Sequence, residues 1–437
     1  MRCERRLWAA LAAVSVLAMS ACGGSAQRPL RIGVVVDCVG AFRALQDREL
    51  SGAQLPLIVR GAHTAGKSPS DGVRRARVAG RPVEVVRGCS ESGEFATVTQ
   101  VTRQLVEREH VDVVVAGGPF SVDGIPLRDL ARRYPDVAFV AAANGPREVT
   151  LQQPAANVYR VAPDLGQGVA GLATYAYRDL GWRRVALVMD DWVVGWNAET
   201  AFVREFCALG GRVVGRVARS APVSPAAVVA RIPRRADGVA VLGSAMSLTP
   251  DILGALARRG SRTLLLGPDV IGDANLVRGV ARLDGVVAAS YAPAAPASPD
   301  VRAYLRAYAK AYPGAPAAQP RDTLVMGYRN AVEGVLEAFE RVDGDLSDGR
   351  RRLRAQLGRL RTRLLGVPVR MDGRRQAVVT TSLVRLGPPS TSGAPELADV
   401  RAIHGVDQSV GGLVPASYVP SSAGQACRRA TPPPWGR

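Results

Sequence analysis

Lysine is nearly absent from this chain. Only Lys67 and Lys310 occur, so the net charge of +19 is carried by arginine. With abundant alanine, glycine and proline beside it, this bias reads as genome composition. The arginines are scattered and aromatics make up only 5% of residues, so the interleaved basic and aromatic pattern of nucleic-acid binding is missing. Histidine is equally scarce: His63, His110 and His404 lie far apart, and no CxxC pair accompanies them, which argues against a metal site. No GxSxG occurs, and neither the histidines nor the cysteines form a nucleophile-and-base signature, so no enzyme and no cofactor are expected. Beyond the N-terminus, no stretch approaches the roughly 20 apolar residues of a membrane helix.

What is present starts with residues 1–25, MRCERRLWAALAAVSVLAMSACGGS. A basic start, an apolar stretch from Leu7 to Met19 and a small-residue cleavage site make a secretory signal, removed on export. Cys22 sits where cleavage is expected. The segment resembles the lipobox of bacterial lipoproteins, with Met19 where leucine is usual, which implies that Cys22 is lipidated and becomes the new N-terminus. An ordinary signal peptide and a retained anchor are the rivals, and all these readings place the body outside the cytoplasm. Setting aside Cys3 and Cys22, the body holds Cys38, Cys89, Cys207 and Cys427. Four cysteines in an oxidising compartment predict two disulfides among three connectivities.

From Arg28 onward, short apolar or β-branched runs alternate with helical patterns. LRIGVVV (30–36), 83–87, 111–116 and 137–142 read as strands, separated by helices at 42–60, 94–107 and 125–133. Continuous apolar strands alternating with helices predict a parallel sheet covered on both faces. After an extended crossing at 157–162, a second series follows: a helix at 166–180, strands at 184–189, 212–216, 238–242 and 263–266, and helices at 198–209 and 249–259. This is a second α/β lobe. Helices are expected at 299–312 and 322–341, and a hairpin at 367–371 and 377–386 turned at Asp372-Gly373. The basic run 349–363 carries Leu353, Leu357, Leu360 and Leu364 at helical spacing, so it reads as a core-facing helix with a solvated basic face. Residues 61–80 read as an exposed loop. Residues 387–437, rich in Pro, Ser and Gly, read as loosely ordered.

The opening strand LRIGVVVDCVGAF, the strand end VDVVVAGG, the segment VYRVAPDLGQGVAGLATYAYRDLGWRRVALVMDD and the closing VPVRMDGRRQAVVTTSLVRL occur in an order that resembles the type I periplasmic binding proteins. The likeness is greatest to the branched-chain amino-acid-type substrate-binding lipoproteins of ABC importers, over residues 28–387. The resemblance implies two Rossmann-like lobes with parallel sheets joined by multiple crossovers. Lobe 1 would take 29–158 and 293–365, lobe 2 159–292 and 366–387, with 1–21 as signal, 22–28 as lipid-anchored linker and 388–437 as tail. It implies a monomer that takes a small polar solute, an amino acid or related compound, in the inter-lobe cleft and delivers it to membrane permease subunits. Sensing, or binding of a nucleoside as the phrase YPDVAFVAAANGP suggests, is the alternative within the same fold.

Ligands of open parallel sheets sit beyond the strands' carboxyl ends. In the first lobe that picks out the loop 37–42 with Phe42, and Gly117 with Gly118, which let a backbone approach closely. Ser121 offers a hydroxyl, and the resemblance adds Asn144. In the second lobe, Asp190 or Asp191 would pair with a ligand ammonium and Trp192 would offer a ring face; a solvated helix-capping aspartate is the bland rival. The resemblance adds Asp269 as a further acidic contact. It also makes the first two strands neighbours, so Cys38 would pair with Cys89, leaving Cys207 with Cys427. GQGVAG (166–171) matches the dinucleotide fingerprint GxGxxG with Asp190 about where a ribose-binding acid would stand. However, Pro163–Leu165 separates it from the preceding apolar run, and an exported protein lacks reduced nicotinamide.

Overall fold

The computed structural model describes residues 28–91, 94–117, 124–142, 145–244, 247–278, 280, 282–294, 298–316, 319–390 and 395–437. Strand β1 (Leu30–Asp37) is buried at every position but one, as a strand between two helical layers must be. Its side chains alternate. Leu30, Ile32, Val34 and Val36 join the core under the helices Gln46–Val59 and Thr323–Glu340, whereas Val35 faces the core under Phe95–Glu107 and Gly124–Arg133.

Within residues 61–80, β2 (His63–Thr64) and β3 (Val73–Arg74) form a small antiparallel ribbon, and β4 (Arg77–Val78) pairs antiparallel with β5 (Arg81–Ser90). This segment is therefore folded rather than an open loop, because Ala62, Pro69, Ala76 and Val78 are buried beneath it. With β6 (Val113–Ala116), β7 (Ala138–Ala141) and β8 (Val158–Arg160) the first sheet runs β4-β5-β1-β6-β7-β8, parallel except at β4.

The second sheet uses β9 (Arg184–Asp190), β10 (Arg212–Arg219), β11 (Gly238–Val241), β12 (Leu264–Leu266) and β13 (Val287–Ser290), all parallel, in the order β10-β9-β11-β12-β13. Strands β14 (Arg361–Leu364), β15 (Val367–Met371), β16 (Ala377–Pro389) and β17 (Pro395–Val406) extend it antiparallel. The chain crosses between the sheets after β8, after β13 and again before β14.

Three local expectations change. The expected helix at 166–180 is broken into Leu165–Gly168 and Leu172–Arg178, because Gly171 turns left-handed at φ +85°. The basic run forms a helix only over Arg351–Gly358 and then becomes β14, although Leu353, Leu357, Leu360 and Leu364 are all buried as expected. The C-terminal segment is not loose. Strand β17 pairs with β16 along most of its length, Cys427 is bonded to Cys207, and Arg178 Nε donates to the Gly436 carbonyl at 3.0 Å. Pro, Ser and Gly made this segment look open because its burial lies along one face of a sheet-edge strand, where composition carries little signal.

Candidate ligand-binding cleft

The carboxyl ends of the two parallel sheets face one another. The backbone N–H of Arg147, which follows β7, reaches Asn197 Oδ1 at 3.5 Å on the helix Val193–Ala208 that follows β9. Gly272, at the end of the helix after β12, lies against Thr323 at the start of Thr323–Glu340. Strand-end loops and helix starts therefore converge between the sheets, where unpaired N–H groups and side chains can meet a solute.

On the first-sheet side, Cys38 and Cys89 are bonded, with Cα atoms 5.4 Å apart. Their strands lie in register, Val36 beside Cys89 and Asp37 beside Ser90. The bridge braces the wall on which Phe42 sits, half-buried in the 3-10 turn Gly40–Leu45. Gly117 has φ +144°, a conformation that a side chain resists. Gly118, Ser121 and Asn144, and the lipidation candidate Cys22, lie outside the described residues.

On the second-sheet side, β9 delivers Asp190, fully buried, to its cleft end. Ser247 Oγ donates to Asp190 Oδ1, while Oδ2 meets no hydrogen-bond partner among the described residues. Burial pushes the Asp190 carboxyl above the usual carboxylate range, and hydrogen bonds from Ser247 and Ser244 pull against that shift. Beyond β11, which leads to Ser244, β12 leads to Asp269, half-buried in Pro268–Gly272, and β13 beside it to Tyr291. The Tyr291 hydroxyl is out of solvent and meets no hydrogen-bond partner among the described residues; burial first, then the charges of Asp269 and Asp164, push it well above its ordinary value.

The remaining candidates are placed differently. Asp191 Oδ1 accepts from Trp196 Nε1 at 3.0 Å, which braces the start of its own helix. Trp192 caps that helix and is 38% exposed. Gly195 is fixed by sterics, since a Cβ there would sit 2.1 Å from the Asp190 carbonyl oxygen. Ser244, Ser247 and Tyr291 carry much of the rim's polarity. The sequence signal for Tyr291 was its place directly after an apolar strand, masked by the Ala/Pro-rich stretch that follows.

GQGVAG serves the crossing between the sheets. Asp164 Oδ1 caps Gln167 N at 2.7 Å, and Gln167 Oε1 accepts in return from Asp164 N at 2.8 Å. A Cβ on Gly168 would meet the Tyr291 hydroxyl at 2.5 Å. Beside this turn, Arg160 donates to the carbonyls of Gly145 and Pro146, and Arg147 to those of Gln408 and Val414. Both guanidiniums are buried, and desolvation lowers their pKa from the ordinary arginine value.

The model of a periplasmic binding protein family matches residues 29–387. The chain belongs to that family. The match and the facing sheets make this a type I periplasmic binding protein fold, of a family that works outside the cytoplasm; its members bind solutes and do not transform them. Among curated proteins none matches. Solved structures share the fold. An ABC transporter substrate-binding protein from Sphaerobacter thermophilus is 21% identical, with 87% of this chain and 99% of that one covered at a TM-score of 0.74. A solute binding protein from Rhodopseudomonas palustris BisB5, in complex with 3,4-dihydroxybenzoic acid, is 19% identical (87% and 98%, 0.71). A leucine binding protein from Thermotoga maritima is 17% identical (86% and 99%, 0.62). The family match ends at residue 387, so β17 and the Cys427 segment lie beyond it. No helix among the described residues is long and apolar enough to cross a membrane.

Proposed function

We propose that this protein is a monomeric lipoprotein, tethered through Cys22 to the extracytoplasmic face of the cell membrane, that captures a small zwitterionic solute such as an amino acid between its lobes and hands it to an ABC permease. The lobes are those set out above, 29–158 with 293–365 and 159–292 with 366–387. The observation that carries the solute class is Asp190: a buried carboxyl, one of whose oxygens meets no partner among the described residues, at the cleft end of its strand, on the same rim as Asp269 and Tyr291. A desolvated carboxylate is stabilised by a cation, so this rim favours a ligand ammonium. A solute whose only charge is a carboxylate, like the aromatic acid bound by the Rhodopseudomonas protein, would be repelled by it. Phe42, Gly118, Ser121 and Asn144 are proposed contacts from the other lobe, and Asp191 and Trp192 lie at the cleft mouth.

The test is a thermal-shift screen of ligand-free protein against amino acids, aromatic acids, nucleosides and sugars. A true solute at a hundredfold excess over its Kd stabilises by about 2.7 kcal/mol. A zwitterion should give the shift and Asp190→Asn should lose it; a shift with aromatic acids alone would overturn the solute class. Mass spectrometry of the mature N-terminus tests the anchor, and Cys22→Ser should release the protein from the membrane fraction.

A further inference from the structure

Arginine is spread through the whole sequence, yet the two far ends of the molecule treat it differently. Because the carboxyl ends of the sheets face each other, the amino-terminal edges of the sheets are the opposite poles. At the first-sheet pole many of the arginines are matched by acids, although Arg108, Arg133 and Arg351 are exposed and meet no carboxylate among the described residues. Asp112 takes both Arg28 and Arg350, Arg31 pairs with Glu84, Arg352 with Asp345 and Arg354 with Asp136.

The second-sheet pole lacks that neutralisation. Exposed arginines gather at this edge: Arg212, Arg184 and Arg385 on β10, β9 and β16, and Arg235, Arg262 and Arg282 in the segments leading into β11, β12 and β13. The register fixes the row, with Arg212 beside Arg184 and Arg385 beside Val287 at the start of β13. At about 4.8 Å per strand the row spans about 24 Å. Arg231, Arg234 and Arg258, also exposed, end helices or begin loops at the same edge. Of all these, only Arg184 meets a carboxylate among the described residues, that of Asp237 at 2.8 Å. Genome composition acts on both poles alike and does not explain one being largely paired and the other largely bare.

We propose that this arginine row is a docking surface for a linear phosphodiester polymer of the cell envelope. Guanidinium forks match phosphate oxygens, and a row of unpaired cations along one edge suits a chain of evenly spaced anions better than a single small anion. The choice of polymer over bilayer rests on the proposed Cys22 anchor. The chain enters β1 at the other pole, and the six residues from Cys22 to Arg28 reach about 20 Å at most. The two sheets laid end to end, through the 8 residues of β1 and the 7 of β9, span about 50 Å. A tether of that reach is too short for the molecule to stand with its basic pole face-on to the lipid surface.

The experiment measures binding of the full chain, in a non-ionic detergent, to a synthetic glycerol phosphate oligomer and separately to phosphatidylglycerol vesicles. Arg235→Glu/Arg262→Glu/Arg385→Glu is compared with Arg133→Glu/Arg351→Glu/Arg352→Glu, which makes the same charge change at the first-sheet pole. The proposal expects salt-sensitive oligomer binding, weakened about tenfold or more by the first triple variant with a shallower salt dependence, and nearly unchanged in the second. Equal weakening by both triples, no oligomer binding, or vesicle binding that depends on the same three arginines and exceeds oligomer binding would each overturn it. Glutamine replacements at the three positions repeat the comparison if the glutamate variant melts early. Solute-induced thermal shift on the same samples should be untouched, which separates this surface from the cleft.

Discussion

Gln376 Nε2 donates to Gln167 Oε1 at 2.9 Å, joining two fully buried side chains 209 residues apart where the chain crosses between the sheets. Gln167 Nε2 in turn donates to the carbonyls of Ala377 and Val406, and Gln376 Nε2 also reaches Ala162 O at 3.0 Å. Two neutral amides thus hold a crossing strand, β16 and the end of β17 together without burying a charge. The glutamine inside GQGVAG is therefore structural, in keeping with the family's binding role.

Leucine at either position leaves carbonyls or an amide oxygen unsatisfied in a buried site. Gln167→Leu and Gln376→Leu should each cost about 1–3 kcal/mol. The double variant should cost less than the sum, because each single change already breaks the shared bond. Urea unfolding of the four proteins checks this, and strict additivity would show that the two amides act independently.

Gly195 cannot acquire a side chain without displacing the backbone at Asp190, since the new Cβ would lie 2.1 Å from that carbonyl oxygen. Gly195→Ala should lower stability by about 3 kcal/mol, the upper part of the range for overpacking, and weaken solute binding with it. Gly254→Ala, whose nearest contact would be an ordinary 3.7 Å from Val280, is the control and should be tolerated.

The disulfide between Cys207 and Cys427 links residues 220 apart, with Cα atoms at 5.5 Å. Replacing both by serine should cost about 2–5 kcal/mol, mostly by freeing the unfolded chain. It should also speed trypsin cleavage after Arg428 and Arg429, which are already at the surface, because the segment between Gly424, docked on Arg216, and the Gly436 contact then loses its covalent anchor. Cleavage mapped by mass spectrometry against time decides it. Equal rates in both proteins would mean that β17 pairing suffices.

Without solute, the native state keeps the Asp190 proton to higher pH than the unfolded chain, whose aspartate titrates near 3.9. The native state therefore binds more protons in the window between that value and its own raised one, and stability falls as pH rises through it. Asp190→Asn should flatten this part of the curve, read as the difference in urea midpoint between the two proteins from about pH 4 to pH 8. Affinity for a cationic head has the opposite sign and should rise through the same window, as the carboxylate forms.

The sequence by itself determined the two α/β series. Apolar runs such as Leu30–Val36 are too uniformly buried-type to stand anywhere but between two layers of helices, and turn residues punctuate them reliably. The pairing of Cys38 with Cys89 followed from the resemblance, and Asp190 was legible as a strand-end acid. Only tertiary structure decided what depends on residues distant in sequence. It joined Gln167 to Gln376, set Tyr291 beside Gly168, and folded β17 onto β16 where composition had pointed to a loose tail. It also decided that the arginines of one pole are largely neutralised while most of those at the other are not. Local patterns encode which face of an element is buried; charge balance and hydrogen-bond partners are set by which elements the chain brings together.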